Sequence, residues 1–239
     1  MLIEERLGRA RVVFTDRHGG VSSAPYDTAN LSDRSADDAS AVAENRDRLA
    51  HRVAVPLPDH WGWLRQVHSA DVVVVDAPAA GEAPLGDAAV TACVALPLVV
   101  LVADCAPIAL ACDDAIGVVH AGWQGLLAGV VEHAVAELRA IGTGDVRALI
   151  GPCIHPARYE FGRRDLDRVV ARLGRGVEAR TDQGTPALDL PAGVRSALTR
   201  AGVTIVDDVD VCTATSVDHF SHRRDGETGR QALVAILDA

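Results

Sequence analysis

Apolar residues of this chain concentrate in a central stretch that runs from Pro97 to Gly125. The stretch contains three short apolar runs separated by polar turns, at residues 98–102, 108–112 and 116–120. Runs of this length without polar alternation are typical of strands that are covered on both faces. The pattern therefore predicts three buried strands, with Cys105 in the turn between the first two and His120 at the end of the third.

The rest of the pattern predicts both helices and strands. Helical spacing of apolar residues marks four segments, at residues 37–53, 126–140, 165–174 and 192–201. Further strands are predicted at residues 11–16, 146–150, 203–206 and 232–237. Another is predicted in the β-branched run that ends the segment 61–76. Gly142 or Gly144 would end the second helix. The stretch 77–87, rich in Ala, Pro and Gly, is interpreted as a mobile lid or as a long connection.

Length and composition favour one globular domain. The chain has 239 residues, of which 49% are hydrophobic and 23% charged, so it can bury a sizeable core. The net charge of -10 argues against a nucleic-acid partner and favours a small-molecule ligand. All basic residues are arginines, which excludes a lysine Schiff base and the lysine of a phosphate-binding P-loop.

Targeting and cysteine usage indicate a cytoplasmic protein. The N-terminal segment lacks the apolar core of a secretory signal, and no apolar run reaches the roughly 18 residues of a membrane span. We therefore predict no membrane partner. The five cysteines, an odd and scattered set, predict free thiols or metal ligands rather than a disulfide framework. Cys93 and Cys112 lie in apolar runs and are predicted core residues.

His68, Cys105 and His120 each fall at a predicted strand end or in a turn. Two imidazoles and one thiolate bind zinc and leave a fourth position open, as in catalytic zinc sites. The spacing matches no short metal motif such as HExxH, so a second interpretation stays open. In that interpretation Cys105 is a nucleophile activated by His120, and Asp104 orients the imidazole or caps the turn.

Four other residues allow two interpretations each. Arg17 follows the first predicted strand, where it could contact an anion or be solvated. Arg46 lies on the helix predicted at 37–53, where a surface salt bridge is the ordinary outcome. Cys153 and His155 form a C-x-H pair, which predicts a second metal site or a conformational role in a loop flanked by prolines.

Missing motifs narrow the function classes. The chain has no G-x-S-x-G elbow, no G-x-G-x-x-G after a strand and no H-x-H pair. Serine hydrolases, dinucleotide oxidoreductases and blue-copper laccases therefore lose support.

Longer segments carry a family resemblance that spans nearly the whole chain. They are TDRHGGVS, ENR, QVHSADV, GDAAVT, ADCAPIAL, HAGWQG, IGPCIHPARYEFG and DVCTATSVDHFSHRRDGETGRQA. Their order resembles that of the bacterial YfiH-like, laccase-domain proteins. These proteins are described as purine nucleoside phosphorylases with an adenosine deaminase side activity, and were formerly called polyphenol oxidases.

The resemblance implies a fold and a metal site. The implied fold is α+β, a four-layer α/β/β/α sandwich with mixed sheets related to the catalytic domain of the cytotoxic necrotizing factors. One YfiH-like domain would cover residues 1–239. The implied zinc ion (Zn2+), with copper as the alternative, would be held by His68, Cys105 and His120.

The resemblance also implies a reaction. Phosphate would attack the anomeric carbon of adenosine, inosine or methylthioadenosine and release the base and ribose 1-phosphate. Cys105, His120 and Asp104 are the predicted catalytic residues, and a zinc-bound water would be the nucleophile of deamination. Because the chain has no lysine, arginines must hold phosphate, and Arg17 and Arg46 are the predicted ligands.

Two positions depart from the family pattern. Gln124 is a predicted substrate- and phosphate-binding residue, but it follows the HAGW motif where relatives of this kind usually carry Arg or Lys, so a phosphate contact there would lack the cation. His155 stands where a small residue is expected. The alternatives to a nucleoside enzyme are a Cys105 amide hydrolase that edits peptidoglycan precursors, and a non-enzymatic partner in cell-wall assembly or division.

Overall fold

The computed structural model describes residues 2–78 and 81–238. Within these ranges the strands are β1 (Ile3–Leu7), β2 (Ala10–Phe14), β3 (Val72–Val74), β4 (Ala88–Thr91), β5 (Leu98–Val102), β6 (Ala106–Ala111), β7 (Ile116–Ala121), β8 (Arg147–Ile150), β9 (Glu178–Arg180), β10 (Pro186–Leu188), β11 (Thr204–Asp208) and β12 (Gln231–Leu237). The α-helices are α1 (Ala39–Arg52), α2 (Trp123–Ala128), α3 (Val130–Ile141), α4 (Arg163–Leu173), α5 (Leu190–Arg200) and α6 (His222–Asp225).

Two large sheets form the framework of this α+β fold. The first has the order β1-β2-β12-β5 and is antiparallel throughout. The second has the order β11-β8-β6-β7-β4-β3, with parallel pairs at its two edges and antiparallel pairs between them. β9 and β10 form a separate antiparallel pair. The structure thus confirms the predicted α+β class.

Three clusters of buried apolar side chains hold the sheets and helices together. Val12, Val100 and Leu233 of the four-stranded sheet meet Ala109 and Val118 of the six-stranded sheet in one cluster. The other side chains of the six-stranded sheet pack against α2 to α5. The remaining face of the four-stranded sheet packs against the C-terminal part of α1. Each fully buried Val or Leu contributes about 1.5–3 kcal/mol to folding.

The three central strands are confirmed as β5, β6 and β7, and nearly all their residues are buried. They do not belong to one sheet, because β5 pairs with β12 whereas β6 pairs with β7 and β8. The chain therefore crosses from one sheet to the other at residues 103–105. This crossing places Cys105 between the two sheets.

Several elements differ from the sequence-based expectation. The helix predicted at 126–140 is two helices, α2 and α3, which are divided at Gly129, where φ is +94°. β1, with exposed charged residues, and the alanine-rich β4 were not predicted, because neither has the pattern of a buried strand. β4 is nevertheless buried, since Gly117 of β7 allows Val90 to approach closely.

The loop predicted at 77–87 lies between β3 and β4. Residues 79 and 80 of this loop lie outside the described residues, so the lid and the long connection both stay predictions. None of the helices within residues 2–78 and 81–238 combines the length and the apolar character that a membrane crossing requires.

Candidate metal centre

His68, Cys105 and His120 come together from three separate segments. His68 lies in the loop before β3 with φ +61°, Cys105 lies just before β6, and His120 is the penultimate residue of β7. One donor atom of each residue lies within 4.8 Å of the others. Cys105 Sγ lies 3.7 Å from His68 Nε2, and the two imidazole centroids are 4.8 Å apart. The structure thus forms the predicted cluster, with His120 buried and His68 exposed.

A buried carboxylate, Asp87, holds both histidines in place. Its Oδ1 accepts hydrogen bonds from His120 Nδ1 at 2.8 Å and from the His68 backbone N–H at 2.9 Å. Its Oδ2 accepts from the backbone N–H groups of Val67 and Ser69, at 3.1 and 2.6 Å. Asp87 is 0% exposed. Asp87 was not predicted as a site residue, although it lies in the segment GDAAVT.

The charges of the cluster stabilise one another. Burial raises the pKa of Asp87, but hydrogen bonds from His120, Ser69 and Val67 outweigh it and lower the pKa to about 2. Burial opposes a charged His120, yet Cys105 and Asp87 raise its pKa to about 9. Burial also raises the pKa of the Cys105 thiol, which His120 and His68 nevertheless lower to about 6. The site therefore favours the thiolate, the form of cysteine that binds metals.

This donor set fits a metal ion such as zinc. Asp87 binds His120 through Nδ1 and leaves Nε2 for coordination, as carboxylates do behind metal-binding histidines. A Cβ atom on Gly122 would lie 2.8 Å from His68 Cδ2 and 3.1 Å from Cys105 Sγ, so glycine is needed beside the cluster. His68, Cys105 and His120 could therefore hold one ion, and three protein donors leave a position for another ligand.

Asp104 was predicted to orient an imidazole or to cap the turn, and its carboxylate contacts neither histidine of the cluster in the described structure. Its Oδ1 accepts a hydrogen bond from Thr213 Oγ1 and its Oδ2 accepts one from the Arg223 N–H, both at 2.6 Å. Its backbone, with φ +95°, lies at the crossing between the sheets. Asp87, rather than Asp104, is therefore the carboxylate that orients the imidazole of His120. Asp104 instead joins this crossing to residues 213 and 223.

An open cleft of about 1330 Å³ contains the cluster. Its walls include aromatic, cationic and polar side chains, among them Trp61, Trp63, Trp123, Tyr159, Arg46, Arg223, Arg230 and Gln124. Trp123 and Tyr159 both pack edge-on against Phe161, with ring centroids 5.3 and 5.4 Å apart. Burial raises the pKa of Tyr159, so this phenol stays protonated. The cleft thus offers aromatic faces and cations near the three donors.

Arg46 and Gln124 line the cleft, as a substrate contact requires. Arg46 donates from Nε to the Leu31 carbonyl at 2.9 Å and pairs with Asp33 at 3.2 Å. Its guanidinium lies 4.0 Å from the ring centroid of Trp63. Gln124 is exposed on α2. Arg46 is therefore largely engaged within the protein.

Arg17 is not among the described residues that line the cleft. Its guanidinium donates from Nε to the Asp27 carbonyl at 2.9 Å and pairs with the Asp27 carboxylate at 3.2 Å. It also stacks on Phe220, at 4.8 Å from the ring centroid. The structure therefore does not bring Arg17 to the metal cluster. These contacts connect the loop at Asp27 with the segment around Phe220.

The cysteines outside the cluster have no metal partners in the described chain. Cys153 and Cys112 are both 2% exposed, and Cys93 is half-buried. In residues 2–78 and 81–238, no group of metal-binding side chains includes Cys153 or His155. The His155 N–H donates to Cys212 Sγ at 3.3 Å, which favours the conformational role.

The fold and site define an α+β protein in which two histidines and one cysteine form a candidate metal site. The chain belongs to the family described as multi-copper polyphenol oxidoreductase laccase, whose model matches residues 11–238. Purine nucleoside phosphorylase ORF3 of Streptomyces griseus is 44% identical over 249 residues, which cover 100% of both chains. A purine nucleoside phosphorylase of Streptomyces coelicolor is 45% identical over 94% of each chain.

Solved structures match over the whole chain as well. A Neisseria meningitidis protein of the DUF152 family has a TM-score of 0.89 and 31% identity, over 100% of this chain and 99% of that one. YlmD of Geobacillus stearothermophilus has a TM-score of 0.88 and 29% identity, with the same coverage. These similarities confirm the predicted family.

Proposed function

We propose that this protein is a zinc-dependent purine nucleoside phosphorylase acting on adenosine, inosine and methylthioadenosine, with adenosine deamination as a side activity. The observation that carries the proposal is the donor cluster of His68, Cys105 and His120 in an open cleft. Relatives named purine nucleoside phosphorylase, at 44 and 45% identity, support the reaction class. Zinc is preferred over copper because three N and S donors with an open position are typical of catalytic zinc.

When bound, zinc would act as a Lewis acid in the cleft. The chain's own residues would bind and orient the two substrates. Asp87 keeps Nδ1 of His120 occupied, so that the other ring nitrogen points at the ligand position. Trp123 and Tyr159 offer aromatic faces to a purine, and arginines hold the phosphate oxygens. Asp104 enters the proposal as a positioning residue, since both its oxygens accept hydrogen bonds from the protein.

The proposal extends to architecture and location. One domain would cover residues 1–239, with layers in the order α/β/β/α as in the cytotoxic necrotizing factor catalytic domain. The packing of α1 on one sheet and of α2 to α5 on the other supports this order. The five cysteines, all free thiols in the structure, support a cytoplasmic location.

The decisive experiment measures free base released from adenosine, with and without phosphate, by protein purified without chelator. We expect release to require phosphate and to be abolished in His120→Ala. His51→Ala is the matched control, because the His51 imidazole is exposed on α1 and contacts the Asp47 carbonyl, away from the cluster. Base release that persists in His120→Ala, or that ignores phosphate, would contradict the proposal. Metal analysis of the same preparations identifies the bound ion.

A second candidate is an amide hydrolase with Cys105 as nucleophile. The observation that favours it is the series of thiol, imidazole and carboxylate formed by Cys105, His120 and Asp87. Covalent trapping of Cys105 by a peptide-like electrophile, in metal-free protein, would support this candidate. Cys93→Ser serves as the control for stray thiol reaction. Cellular function retained in Cys105→Ser would favour a non-enzymatic role over both chemistries.

A further inference from the structure

Five arginines line the cleft that contains the metal cluster: Arg34, Arg46, Arg65, Arg223 and Arg230. Since the chain has no lysine, these guanidinium groups supply the positive charge of the described cleft walls apart from histidine. Two of them are already neutralised by carboxylates. Arg46 pairs with Asp33 at 3.2 Å and Arg65 pairs with Glu82 at 2.6 Å.

Arg230 is a half-buried cation without such a partner. Its Nη1 donates to the Thr228 and Gly229 carbonyls, at 2.8 and 2.9 Å. Within residues 2–78 and 81–238, no carboxylate oxygen lies within 4.0 Å of its guanidinium. Burial lowers the pKa of Arg230, whereas the negative charges of Cys105 and Asp104 act in the opposite direction. The cation is thus near the cluster and uncompensated by an ion pair.

The backbone of Arg230 is fixed from both sides. Its N–H donates to Asn30 Oδ1 at 2.9 Å, and its carbonyl accepts from the Leu31 N–H at 3.1 Å. Asn30 is 0% exposed and is itself held by Asn45, which donates to its carbonyl at 2.9 Å. Asn45 belongs to the ENR segment of α1. A charged side chain on such an anchored backbone is pre-organised for a ligand.

Arg223 is a second cation without a carboxylate partner, at an exposed position. Its guanidinium donates to the Glu160 carbonyl at 2.9 Å and lies 4.9 Å from the ring centroid of Tyr159. Over the described chain it has no carboxylate within 4.0 Å either. Its backbone N–H donates to Asp104, next to the metal ligand Cys105. Three of the five arginines, Arg34, Arg223 and Arg230, therefore have no ion pair in the described chain. Of these, Arg223 and Arg230 have their guanidinium groups held by backbone carbonyls.

We propose that Arg230, together with Arg223, forms the phosphate subsite of the cleft, in place of Arg17 and Arg46. The subsite rests on the proposed function, in which the nucleoside is neutral and phosphate is the anionic substrate. A guanidinium group donates two parallel hydrogen bonds to phosphate oxygens. An arginine without a carboxylate partner can do so without first breaking an ion pair. Arg17 and Arg46 both lack this freedom, because Asp27 and Asp33 already hold them.

The test is equilibrium binding of inorganic phosphate to the full-length, metal-loaded protein, measured by calorimetry without nucleoside. We expect Arg230→Gln to weaken phosphate binding at least about tenfold and Arg223→Gln to weaken it less, by the loss of charge-assisted hydrogen bonds. Arg230→Lys keeps the charge but loses the paired donors, so its affinity should fall between those of the wild type and Arg230→Gln. Arg65→Gln, Arg46→Gln and Arg17→Gln should stay within about twofold of the wild type. Circular dichroism and metal content show whether each variant is folded and loaded.

Each outcome either supports or overturns the phosphate subsite. The subsite is overturned if folded Arg230→Gln or Arg230→Lys binds phosphate as tightly as the wild type. It is also overturned if Arg17→Gln or Arg46→Gln loses more affinity than Arg230→Gln, or if the wild-type protein does not bind phosphate. Phosphate binding that depends on Arg230 in a protein without phosphorolysis keeps the subsite and rejects the proposed function. Where turnover is present, Arg230→Gln should raise KM for phosphate about tenfold and change KM for the nucleoside less than about twofold.

Discussion

The two halves of the cleft are stabilised in different ways. The metal half consists of His68, Cys105 and His120, and the buried carboxylate of Asp87 compensates its positive charge. The arginine half consists of Arg223 and Arg230, whose guanidinium groups contact backbone carbonyls and an aromatic ring instead of carboxylates. The charges of the metal half are therefore held by hydrogen bonds within the protein, whereas the two arginines have no carboxylate within ion-pairing distance in the described chain.

This difference distinguishes residues that fix the geometry of the site from residues that bind a ligand. A charge that the protein pairs internally gains a fixed geometry, because several hydrogen bonds must break before it can move. A cation left unpaired near the surface keeps its attraction for a ligand, at some loss of stability. The comparison predicts that changes in the metal half alter both stability and metal affinity. Changes in the arginine half should alter anion affinity more than stability.

The largest expected effect is that of Asp87→Ala. The change leaves the imidazole of His120 and the N–H groups of Val67, His68 and Ser69 without their acceptor. We expect unfolding free energy to fall by about 3–5 kcal/mol and metal affinity to fall about 10–100-fold. Urea denaturation and metal titration measure the two effects. Asp76→Ala, at an exposed position of the same region, is the control, and equal metal affinity in both variants would remove Asp87 from the site.

Gly122→Ala should affect the metal half more selectively. The added Cβ would lie 2.8 Å from His68 Cδ2 and 3.1 Å from Cys105 Sγ, while φ of -78° is open to alanine. We expect metal affinity to fall about tenfold, or about 1.4 kcal/mol, with a stability loss of about 1 kcal/mol. Gly176→Ala is the matched control, since no atom lies within 4 Å of its Cβ position. Unchanged metal affinity would mean that the cluster can widen freely.

The smallest expected effect is that of Gln124→Arg on the arginine half. The change introduces a cation at an exposed position of the cleft wall. Phosphate affinity should rise about two- to fivefold at low salt and less at high salt, because an exposed charge is screened. Gln183→Arg, which adds the same charge at another exposed glutamine, separates a local contact from a change in net charge. Equal gains in both variants would exclude a local contact.

Residue chemistry made the metal half partly predictable. Histidine and cysteine are few in this chain, so His68, Cys105 and His120 stand out beside predicted strands. Asp87 does not stand out, because it is one of 33 acidic residues and only its burial distinguishes it. Arg230 is likewise one of 23 basic residues. Asp87 is distinguished by its hydrogen-bond partners and Arg230 by having no ion pair in the described chain. Both properties depend on contacts between residues far apart in the sequence.

The same division runs through the fold. Local pattern predicted β5, β6 and β7 as buried strands, since apolar runs leave water wherever they pair. It did not predict that β5 and β6 belong to different sheets, because the turn at 103–105 contains no information on strand partners. β12, near the end of the chain, is the strand that separates β5 from β2. Pairing over such separations depends on the whole set of buried faces rather than on any segment.

By itself, the sequence determined the apolar runs, the absence of lysine and the three candidate metal donors. These properties belong to single residues or short segments and need no partner to be recognised. The tertiary structure alone determined that Cys105 lies at a crossing between sheets, that Asp87 orients both histidines, and that Arg17 is occupied while Arg230 is unpaired. The reason is physical: the charge and hydrogen-bonding state of a side chain depends on which distant groups folding brings within a few ångströms of it.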